Sequence, residues 1–264
     1  MKYVIVTGAR GGMGTAVVNR LISEGYFVFA LDREIEESIA DSVHYISVDV
    51  TDTESIERAR GKIKGVTDKV YAIVHLAGIY VLDSLVEMDE ERFIRAFDVN
   101  LFGVYRINKI MLPLLCDGSR IIITSSELAP LDPLPFTGVY AITKGAIEKY
   151  AYSLRMELQL LGISVAVVRP GAIKTSLLDV STAELDRFVE KTELYAPNAD
   201  RFKRIVESVE ARNLPPEKVA NVVFKAIRAK KPRFVYNLNR NPLLLLLNIL
   251  PKRLATFIIK KILK

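Results

Sequence analysis

The chain has 264 residues, of which 50% are hydrophobic and 26% are charged, and this composition is typical of one large globular α/β domain. A single cysteine, Cys116, excludes an internal disulfide, and with only His44 and His75 beside it the usual zinc ligands are too few for a metal site. The net charge of +6 does not indicate nucleic-acid binding, because five cations and no acids lie between Leu243 and Lys264, which leaves the preceding residues at +1.

Cysteine usage and the N-terminal residues bear on the compartment. Cys116 lies in the apolar run IMLPLLC, so we expect a buried core thiol rather than a nucleophile. One cysteine suits a reducing compartment, and the first apolar run, VIV, is too short for a signal peptide. We therefore expect a cytoplasmic protein.

Apolar runs rich in β-branched residues alternate with helical patterns along the chain. We predict strands at 3–7, 26–31, 44–48, 70–76, 120–125, 163–168 and 233–236, and helices near 13–24, 52–63, 85–97, 101–115, 139–161 and 216–229. Several strands are continuously apolar, as is typical of strands that are covered on both faces. The alternation predicts an α/β fold with a doubly wound, Rossmann-type parallel sheet of about seven strands and helices on both faces.

One segment, 174–214, breaks this alternation. It is polar, helix-prone and long for a connection, which indicates a flap over a site rather than part of the sheet. We therefore predict a single catalytic domain at 1–241 that includes this flap, followed by a C-terminal tail at 242–264.

The first predicted strand runs directly into TGARGGMG, where Gly8, Gly12 and Gly14 lie at a strand-to-helix turn. Glycine lets the backbone approach a pyrophosphate, and the free N–H groups of the following helix then face the anion. The second strand closes with Asp32, whose carboxylate can accept hydrogen bonds from both ribose hydroxyls and would repel a 2′-phosphate. This favours NAD(H), but NADP(H) is not excluded, because Arg33 could pair with a phosphate.

A tyrosine and a lysine, Tyr140 and Lys144, lie four residues apart in YAITK, just before a long amphipathic run. Positions i and i+4 share one face of a helix, so both side chains would reach the same small volume. A nearby ammonium favours phenolate, and we therefore expect Lys144 to lower the pKa of Tyr140 towards 7. Taken alone, the pair also fits an ordinary surface helix.

Further motifs follow one another along the chain. They are DVTD with Asp49, HLAG at 75–78, VNLFG with Asn100, the pair Ser125 and Ser126 after the fifth strand, and PGAIKT at 170–175. With TGARGGMG and YAITK they resemble the motifs of the short-chain dehydrogenase/reductase family, in the same order and over about residues 1–236. The resemblance implies an NAD(P)-dependent oxidoreductase that transfers a hydride between nicotinamide and an alcohol or carbonyl carbon.

The resemblance also implies the site residues. The catalytic ones would be Asn100, Ser126, Tyr140 and Lys144. The cofactor-binding ones would be Gly8, Arg10, Gly12, Met13, Gly14, Asp32, Arg33, Asp49, Val50, Ala77, Gly78, Asn100, Tyr140, Lys144, Pro170, Gly171, Ile173 and Thr175. Tyr140 would act as general acid and base, Ser126 would bind the oxyanion, Lys144 would bind the ribose, Asn100 would hold a relay water and Thr175 would bind the carboxamide.

Two features depart from the family pattern. His75 and Leu76 stand where the family has two asparagines, and we expect His75 to be structural because it ends a buried strand. Ser126 precedes Tyr140 by fourteen positions, one more than the family spacing, and the proline-rich loop between them can absorb the extra residue. We therefore choose Ser126 over Ser125.

The helix after the tyrosine is similar to that of the branch with retinol and 17β-hydroxysteroid dehydrogenases. A lipophilic alcohol or ketone is our leading substrate class; the alternatives are a sugar or polyol dehydrogenase, a ketoacyl reductase, or a non-catalytic nicotinamide sensor. Family members often pair through their long helices, so a homo-oligomer is expected. Apolar side chains would line the pocket or equally pack the flap onto the core: Leu134, Phe136, Leu177, Leu178, Phe188 and Tyr195.

The tail from Pro242 to Lys264 cannot span a membrane as one helix, because Asn248 and Pro251 interrupt its apolar run. From Lys252 onwards, a helix would place the cations on one half of its surface and most apolar residues on the other. Such a basic amphipathic helix suits an anionic membrane surface. Packing of the same face against the protein body or a second subunit is the alternative.

Overall fold

One mostly parallel sheet, with helices on both faces, organises the chain. The computed structural model describes the backbone of all 264 residues and the side chains of all except 176–179 and 209–210. The strands are β1 Lys2–Thr7, β2 Tyr26–Asp32, β3 Ser38–Ala40, β4 Val43–Ser47, β5 Ala72–His75, β6 Arg120–Thr124, β7 Ser164–Pro170 and β8 Val235–Leu238. The helices are α1 Gly12–Ser23, α2 Thr53–Lys64, α3 Glu90–Phe97, α4 Gly103–Met111, α5 Gly138–Leu158, α6 Ser176–Lys191, α7 Ala196–Glu210, α8 Pro216–Arg228, α9 Pro242–Ile249 and α10 Lys252–Leu263.

Within this described chain, eight strands form the sheet in the order β3-β4-β2-β1-β5-β6-β7-β8. All neighbours pair in parallel except β3, which runs antiparallel to β4 at the edge. The predicted doubly wound Rossmann-type fold is confirmed, with one strand more than predicted. No pattern of residues indicated β3, because its three residues are all exposed and form no apolar run.

Successive residues of the central strands bury their side chains on opposite faces of the sheet. Val4 and Val6 pack with residues of α1 and α8, whereas Ile5 packs with residues of α2 and α4. Because both faces are covered, these strands are apolar at every central position. Growth of the sheet reverses between β1 and β5, and a crevice at such a switch point is where open α/β sheets bind ligands.

The helix predicted at 85–97 begins later than expected, at Glu90. Asp89 has extended backbone angles, and Glu90 and Glu91 occupy the first turn, where negative charge favours a helix N-terminus. The helix predicted at 101–115 is interrupted at both ends: a π-helical turn covers Asp98–Phe102 and a 3₁₀ turn covers Leu112–Leu114.

Cys116 is exposed, so the expectation of a buried thiol is wrong. The core ends at Leu114, which is 4% exposed, and the chain then leaves the core on its way to β6. The backbone N–H of Cys116 donates to Ser119 Oγ at 3.1 Å in this surface turn. The apolar run in the sequence therefore extends past the point at which burial stops.

The segment predicted as a flap contains α6 and α7, which an aromatic cluster fastens to the loop before α5. The Phe136 ring lies 4.4 Å from that of Phe188 and 5.0 Å from those of Tyr195 and Phe202, measured between centroids. Aromatic pairs at such distances stabilise beyond the area that they bury. The division of the chain into a catalytic domain, flap and tail stays a prediction.

The tail forms two short helices that lie against the body. Asn248 Oδ1 accepts a hydrogen bond from the backbone N–H of Asp132 at 2.8 Å, and Lys252 forms an ion pair with the Asp132 carboxylate. Asn198 Nδ2 of α7 donates to Leu263 O at 2.7 Å. None of the residues described in α9 and α10 is fully buried, and no helix in the described chain has the length and apolar character of a bilayer span.

His75, which stands where the family has an asparagine, ends β5 in a buried chain of hydrogen bonds. Its Nε2 lies 2.8 Å from Asn108 Oδ1, and Asn108 Nδ2 donates to the Tyr150 hydroxyl at 3.1 Å. Since Asn108 uses its amide nitrogen towards Tyr150, its oxygen accepts the hydrogen on His75 Nε2. The chain joins β5 to α4 and α5, which supports the structural role expected for His75.

We predict that His75→Asn makes the protein less sensitive to acid. Burial lowers the pKa of the His75 imidazole to about 4, although its bond to Asn108 acts in the opposite direction. An unfolded histidine titrates near 6.5, so the unfolded chain takes up the proton first and stability falls as pH drops from about 6.5 to 4. Urea denaturation measures the free energy of unfolding. Between pH 7 and pH 4.5, this free energy should fall by about 2 kcal/mol more in the wild type than in the variant. If the free energy of unfolding changed equally with pH in the wild type and in His75→Asn, the prediction would be contradicted.

Candidate active site

Three of the four predicted catalytic side chains line one cavity beside the carboxyl ends of β5, β6 and β7. Ser126 follows β6, while Tyr140 and Lys144 lie on the first two turns of α5. Asn100 lies in the π-helical turn behind them. The sheet therefore brings together residues that are up to 44 positions apart in the sequence.

The geometry favours Ser126 over Ser125 as the partner of the tyrosine. Ser126 shares a side-chain hydrogen bond with Tyr140 and accepts one from the backbone N–H of Leu128 at 3.2 Å. Ser125 Oγ instead donates to the backbone oxygen of Lys144 at 3.4 Å. The loop between Ser126 and α5 contains Phe136 at a φ of 64°, a left-handed conformation uncommon for a non-glycine residue. The longer loop thus accommodates the extra residue while Ser126 still reaches Tyr140.

The ammonium of Lys144 is buried beside the tyrosine. Its Nζ donates to Thr124 O at 3.2 Å and lies 5.6 Å from the centroid of the Tyr140 ring. Burial lowers the pKa of Lys144 to about 8, so the side chain still carries its charge at pH 7. The helical spacing therefore brings the two side chains into one volume, as predicted.

The expected lowering of the Tyr140 pKa is not met in this structure. Burial raises the pKa of the phenol to about 12, and the hydrogen bond with Ser126 offsets this only in part. Removing solvent from a phenolate outweighs the attraction of an ammonium that is directed at Thr124 O. Tyr140 is therefore a protonated phenol at neutral pH, which is the form that can donate a proton.

Asn100 fixes the backbone on the opposite side of the cavity. Its Oδ1 accepts from Ile79 N at 2.8 Å, and its Nδ2 donates to Ile79 O at 3.0 Å and to Thr143 Oγ1 at 3.2 Å. A methyl group added to Gly78 would lie 3.1 Å from Asn100 Oδ1 and 3.6 Å from Lys144 Nζ. A π-helical turn with such contacts is a common feature of functional sites.

A second crevice adjoins the catalytic cavity and shares Leu76, Gly78 and Ile79 with it. Its floor is the glycine turn, where Gly8 has a φ of 68° and a Cβ would lie 2.5 Å from Ala77 N. A Cβ on Gly14 would lie 2.0 Å from Gly8 O. Only glycine fits such close approaches, and the cradle at the N-terminus of α1 fits a pyrophosphate.

The far end of this crevice contains the residues predicted to choose between NAD(H) and NADP(H). Asp32 Oδ2 accepts from Arg10 N at 2.9 Å, and Asp32 Oδ1 accepts from Glu34 N at 3.3 Å. The guanidinium of Arg33 forms an ion pair with Glu34 at 3.0 Å, and both side chains are more than half exposed. Asp32 is therefore held in the crevice, whereas Arg33 lies at its rim.

The remaining predicted residues divide between the two crevices. In the catalytic cavity are Met13, Gly78, Pro170, Gly171, Ile173 and Thr175; in the second crevice are Gly8, Asp32, Arg33, Asp49, Val50, Ala77 and Gly78. Arg10, Gly12 and Gly14 shape the turn without lining either crevice. Gly12 is close-packed against Thr175, since a Cβ there would lie 2.8 Å from the threonine side chain.

The structure decides between the two roles left open for the apolar side chains of the flap and the preceding loop. Phe136, Phe188 and Tyr195 belong to the aromatic cluster and pack the flap onto the body, which is the alternative left open by the sequence. Leu134 does line the cavity, and the side chains of Leu177 and Leu178 lie outside the described residues.

Sequence reasoning missed several lining residues: Leu76, Ile79, Tyr80, Glu127, Leu128, Phe202, Ile205, Val206 and Leu244. Tyr80, whose ring centroid is 4.8 Å from that of Tyr140, and Glu127, next to Ser126, are adjacent to recognised motifs and could have been singled out. Leu244 gave no signal, because only folding brings the tail to the cavity.

Comparisons with known proteins agree with this geometry. A family model described as short chain dehydrogenase matches residues 2–186. The 3-ketodihydrosphingosine reductase of Bacteroides thetaiotaomicron is 28% identical over 234 residues, which are 88% of this chain and 86% of that protein. Mouse estradiol 17-beta-dehydrogenase 2 is 32% identical over 189 residues, which are 67% of this chain and 49% of that protein.

Among solved structures, a short chain dehydrogenase from Burkholderia cenocepacia in complex with NADP has a TM-score of 0.75 at 19% identity, with all of both chains covered. This likeness concerns the fold. The family model and the relatives agree with the motif order found in the sequence. The chain therefore belongs to the short-chain dehydrogenase family, whose members are NAD(P)-dependent oxidoreductases that act on CH–OH groups.

Proposed function

We propose that this protein transfers a hydride between a nicotinamide cofactor and a lipophilic ketone or its alcohol. The observation that carries the proposal is the cavity around Tyr140 and Ser126, whose wall is mostly apolar. Its apolar members come from several separate parts of the chain and include Leu76, Ile79, Leu128, Leu134, Phe202, Ile205, Val206 and Leu244. Such a wall suits a substrate that buries hydrocarbon, because ligand pockets combine apolar lining with few polar groups.

The polar groups are arranged for reduction of a carbonyl. When bound, the nicotinamide cofactor supplies the hydride. Tyr140, protonated at neutral pH, donates a proton to the carbonyl oxygen, and Ser126 hydrogen-bonds the same oxygen as negative charge develops. Lys144 holds a buried positive charge beside the phenol, and Asn100 fixes the Gly78–Ile79 backbone that faces it.

The alternatives receive less support from the cavity. A sugar or polyol would need hydrogen-bonding partners for several hydroxyl groups, whereas most of the exposed wall of the cavity is apolar. A non-catalytic nicotinamide sensor would not need Ser126, Tyr140 and Lys144 together in one cavity, yet all three line it. The names of the reductase and dehydrogenase relatives, which refer to a sphingosine ketone and to estradiol, also favour a lipid-like substrate.

We propose NAD(H) as the preferred cofactor. Asp32 is held by the backbone N–H groups of Arg10 and Glu34, so its carboxylate stays where a ribose 2′-hydroxyl would bind and a 2′-phosphate would be repelled. The NADP complex of a distant structural relative shows that the fold also admits the phosphorylated cofactor. The proposal of NAD(H) rather than NADP(H) therefore rests on the position of Asp32.

A homo-oligomer is proposed through the outer surfaces of α4 and α5. Tyr105 on α4, and Tyr152 and Met156 on α5, are each 45% or more exposed. Apolar side chains grouped on neighbouring helices suit an interface between subunits.

We further propose peripheral contact between the tail and an anionic membrane. Leu246, Ile249 and Phe257 are 59%, 80% and 56% exposed, although the tail is fixed to the body through Asp132 and Asn198. Cations lie among these apolar side chains and no acid does. An outward apolar surface with neighbouring lysines suits the interface of a bilayer with acidic headgroups.

Tyr140→Phe tests the role of the phenol. We expect kcat to fall by at least a hundredfold with the best ketone found, because the general acid is lost while the ring keeps its contact with Tyr80. Binding of NADH, measured by its fluorescence, should change less than about threefold. Retention of more than about a hundredth of kcat would contradict the role given to Tyr140.

Asp32→Ala tests the cofactor choice. The ratio of kcat/KM with NADH to that with NADPH should exceed one in the wild type and fall at least tenfold in the variant, because the ribose contact and the repulsion of the phosphate are both removed. Arg33→Ala, at the rim, is the control and should leave kcat/KM with NADH within about threefold. Equal or better use of NADPH by the wild type would contradict the proposal and indicate Arg33 as the phosphate partner.

A charge reversal in the tail, Lys260→Glu with Lys261→Glu, tests membrane contact. At low salt the wild type should co-sediment with vesicles of mixed phosphatidylcholine and phosphatidylserine, and 0.5 M salt should weaken the binding. The double variant should bind at least tenfold more weakly, since each lysine near such a surface contributes about 1 kcal/mol. The exposed pair Lys230 and Lys231, reversed in the same way, provides the matched control. An equal loss of vesicle binding in both double variants, or no vesicle binding by the wild type, would contradict the proposal.

A further inference from the structure

One ionisable side chain in the catalytic cavity has no role in the hydride and proton transfers. Glu127 directly follows Ser126, lines the same cavity as Tyr140 and is 9% exposed. Its backbone N–H donates to Pro170 O at 2.9 Å, which ties the loop after β6 to the end of β7. It is the one carboxylate among the lining residues that the structure describes for this cavity.

The carboxylate of Glu127 is incompletely paired. Its Oε2 accepts a hydrogen bond from Asn241 N at 2.6 Å, and its Oε1 lies against Gly171, where a Cβ would be 2.8 Å away. Among the side chains described, no lysine, arginine or histidine nitrogen forms an ion pair with it; Arg240, which is exposed, acts only at longer range. Buried carboxylates are ordinarily paired with a cation, so a counter-charge is lacking here.

We propose that Glu127 forms a subsite for an ammonium group, so that the preferred substrates are lipophilic ketones with an amino group close to the carbonyl. This inference rests on the proposed function and names the substrate class more narrowly. The substrate would supply the cation that the protein does not. In a largely dry cavity such a pair is worth more than on the surface, because solvent screens it less.

The position of Glu127 limits where that amino group can be. Glu127 and its sequence neighbour Ser126 line the same cavity, so one ligand in that cavity can reach both side chains. The ammonium is therefore attached near the reacting carbon, while the hydrocarbon chain extends along the apolar wall that includes Phe202 and Leu244.

A purely structural role would have a different signature. Glu127 also holds the first residue before α9 through Asn241 N, and this bond needs only an acceptor oxygen. Glu127→Gln keeps an acceptor oxygen and removes the charge. The variant therefore separates recognition of a cation from attachment of the tail.

The experiment compares two unbranched twelve-carbon ketones, one with an amino group on the carbon next to the carbonyl and one without it. With the better cofactor, the wild type should show a kcat/KM at least tenfold higher for the amino ketone. Glu127→Gln should lower kcat/KM for the amino ketone at least tenfold, mainly through KM, and leave the plain ketone within about threefold. Glu157→Gln, on the exposed face of α5, is the matched control and should change neither value.

A binding measurement keeps the inference testable without turnover. By calorimetry below the critical micelle concentration, dodecylammonium should bind the wild type at least tenfold more tightly than it binds Glu127→Gln, whereas dodecanol should bind both alike. Two results would overturn the proposal of an ammonium subsite. One is an equal loss of kcat/KM for both ketones in Glu127→Gln, and the other is equal binding of dodecylammonium to both proteins. If the wild type reduces neither ketone, the proposed function fails, and the calorimetry alone then decides the inference about Glu127.

Discussion

The pairing of β1 with β5 is the constraint on which the site depends. Thr7 pairs with His75 at the ends of the two strands, and Ala77 N donates to Thr7 Oγ1 at 3.3 Å just beyond them. The strands leave the sheet so close together that only glycine fits at position 8, against Ala77 N. The segment after β1 then turns into the cradle at the start of α1, and the segment after β5 continues as Gly78 and Ile79 along both crevices. The two crevices are therefore adjacent because the two strand ends are adjacent.

Burial then determines the chemistry that the side chains can perform. The i, i+4 spacing places Tyr140 and Lys144 together, but spacing does not say how much solvent surrounds them. In the folded protein, burial raises the pKa of Tyr140 to about 12 and lowers the pKa of Lys144 to about 8. At pH 7 the phenol is therefore neutral, while the lysine keeps its charge. The protonated phenol is the form that can donate a proton. The sequence predicted that Tyr140 and Lys144 lie together, and burial in the fold determined their pKa values.

What could be predicted from the sequence was local or carried by motif order. Continuous apolar runs identified the buried strands, and the glycine turn with Asp32 predicted residues that do line a common crevice, because their cause lies within a few residues. The edge strand β3 was missed because it buries nothing, and Cys116 was misplaced because the apolar run extends beyond the core. Phe188 was expected in the pocket or the core, and only packing against Phe136 decides for the core. Contacts between distant segments, such as Leu244 in the catalytic cavity, have no local signature.

The tail and the catalytic cavity are physically joined, and this affects how either can be studied. Asn241 N is held by Glu127, and Leu244, one turn into α9, forms part of the cavity wall. Deleting the tail from residue 242 would therefore remove Leu244 from the cavity wall, so lost activity after truncation would say nothing about membranes. Charge changes at the far end of α10 leave both contacts intact. The same connection means that a displacement of α9 would change the position of Leu244 in the cavity wall and the hydrogen bond of Glu127.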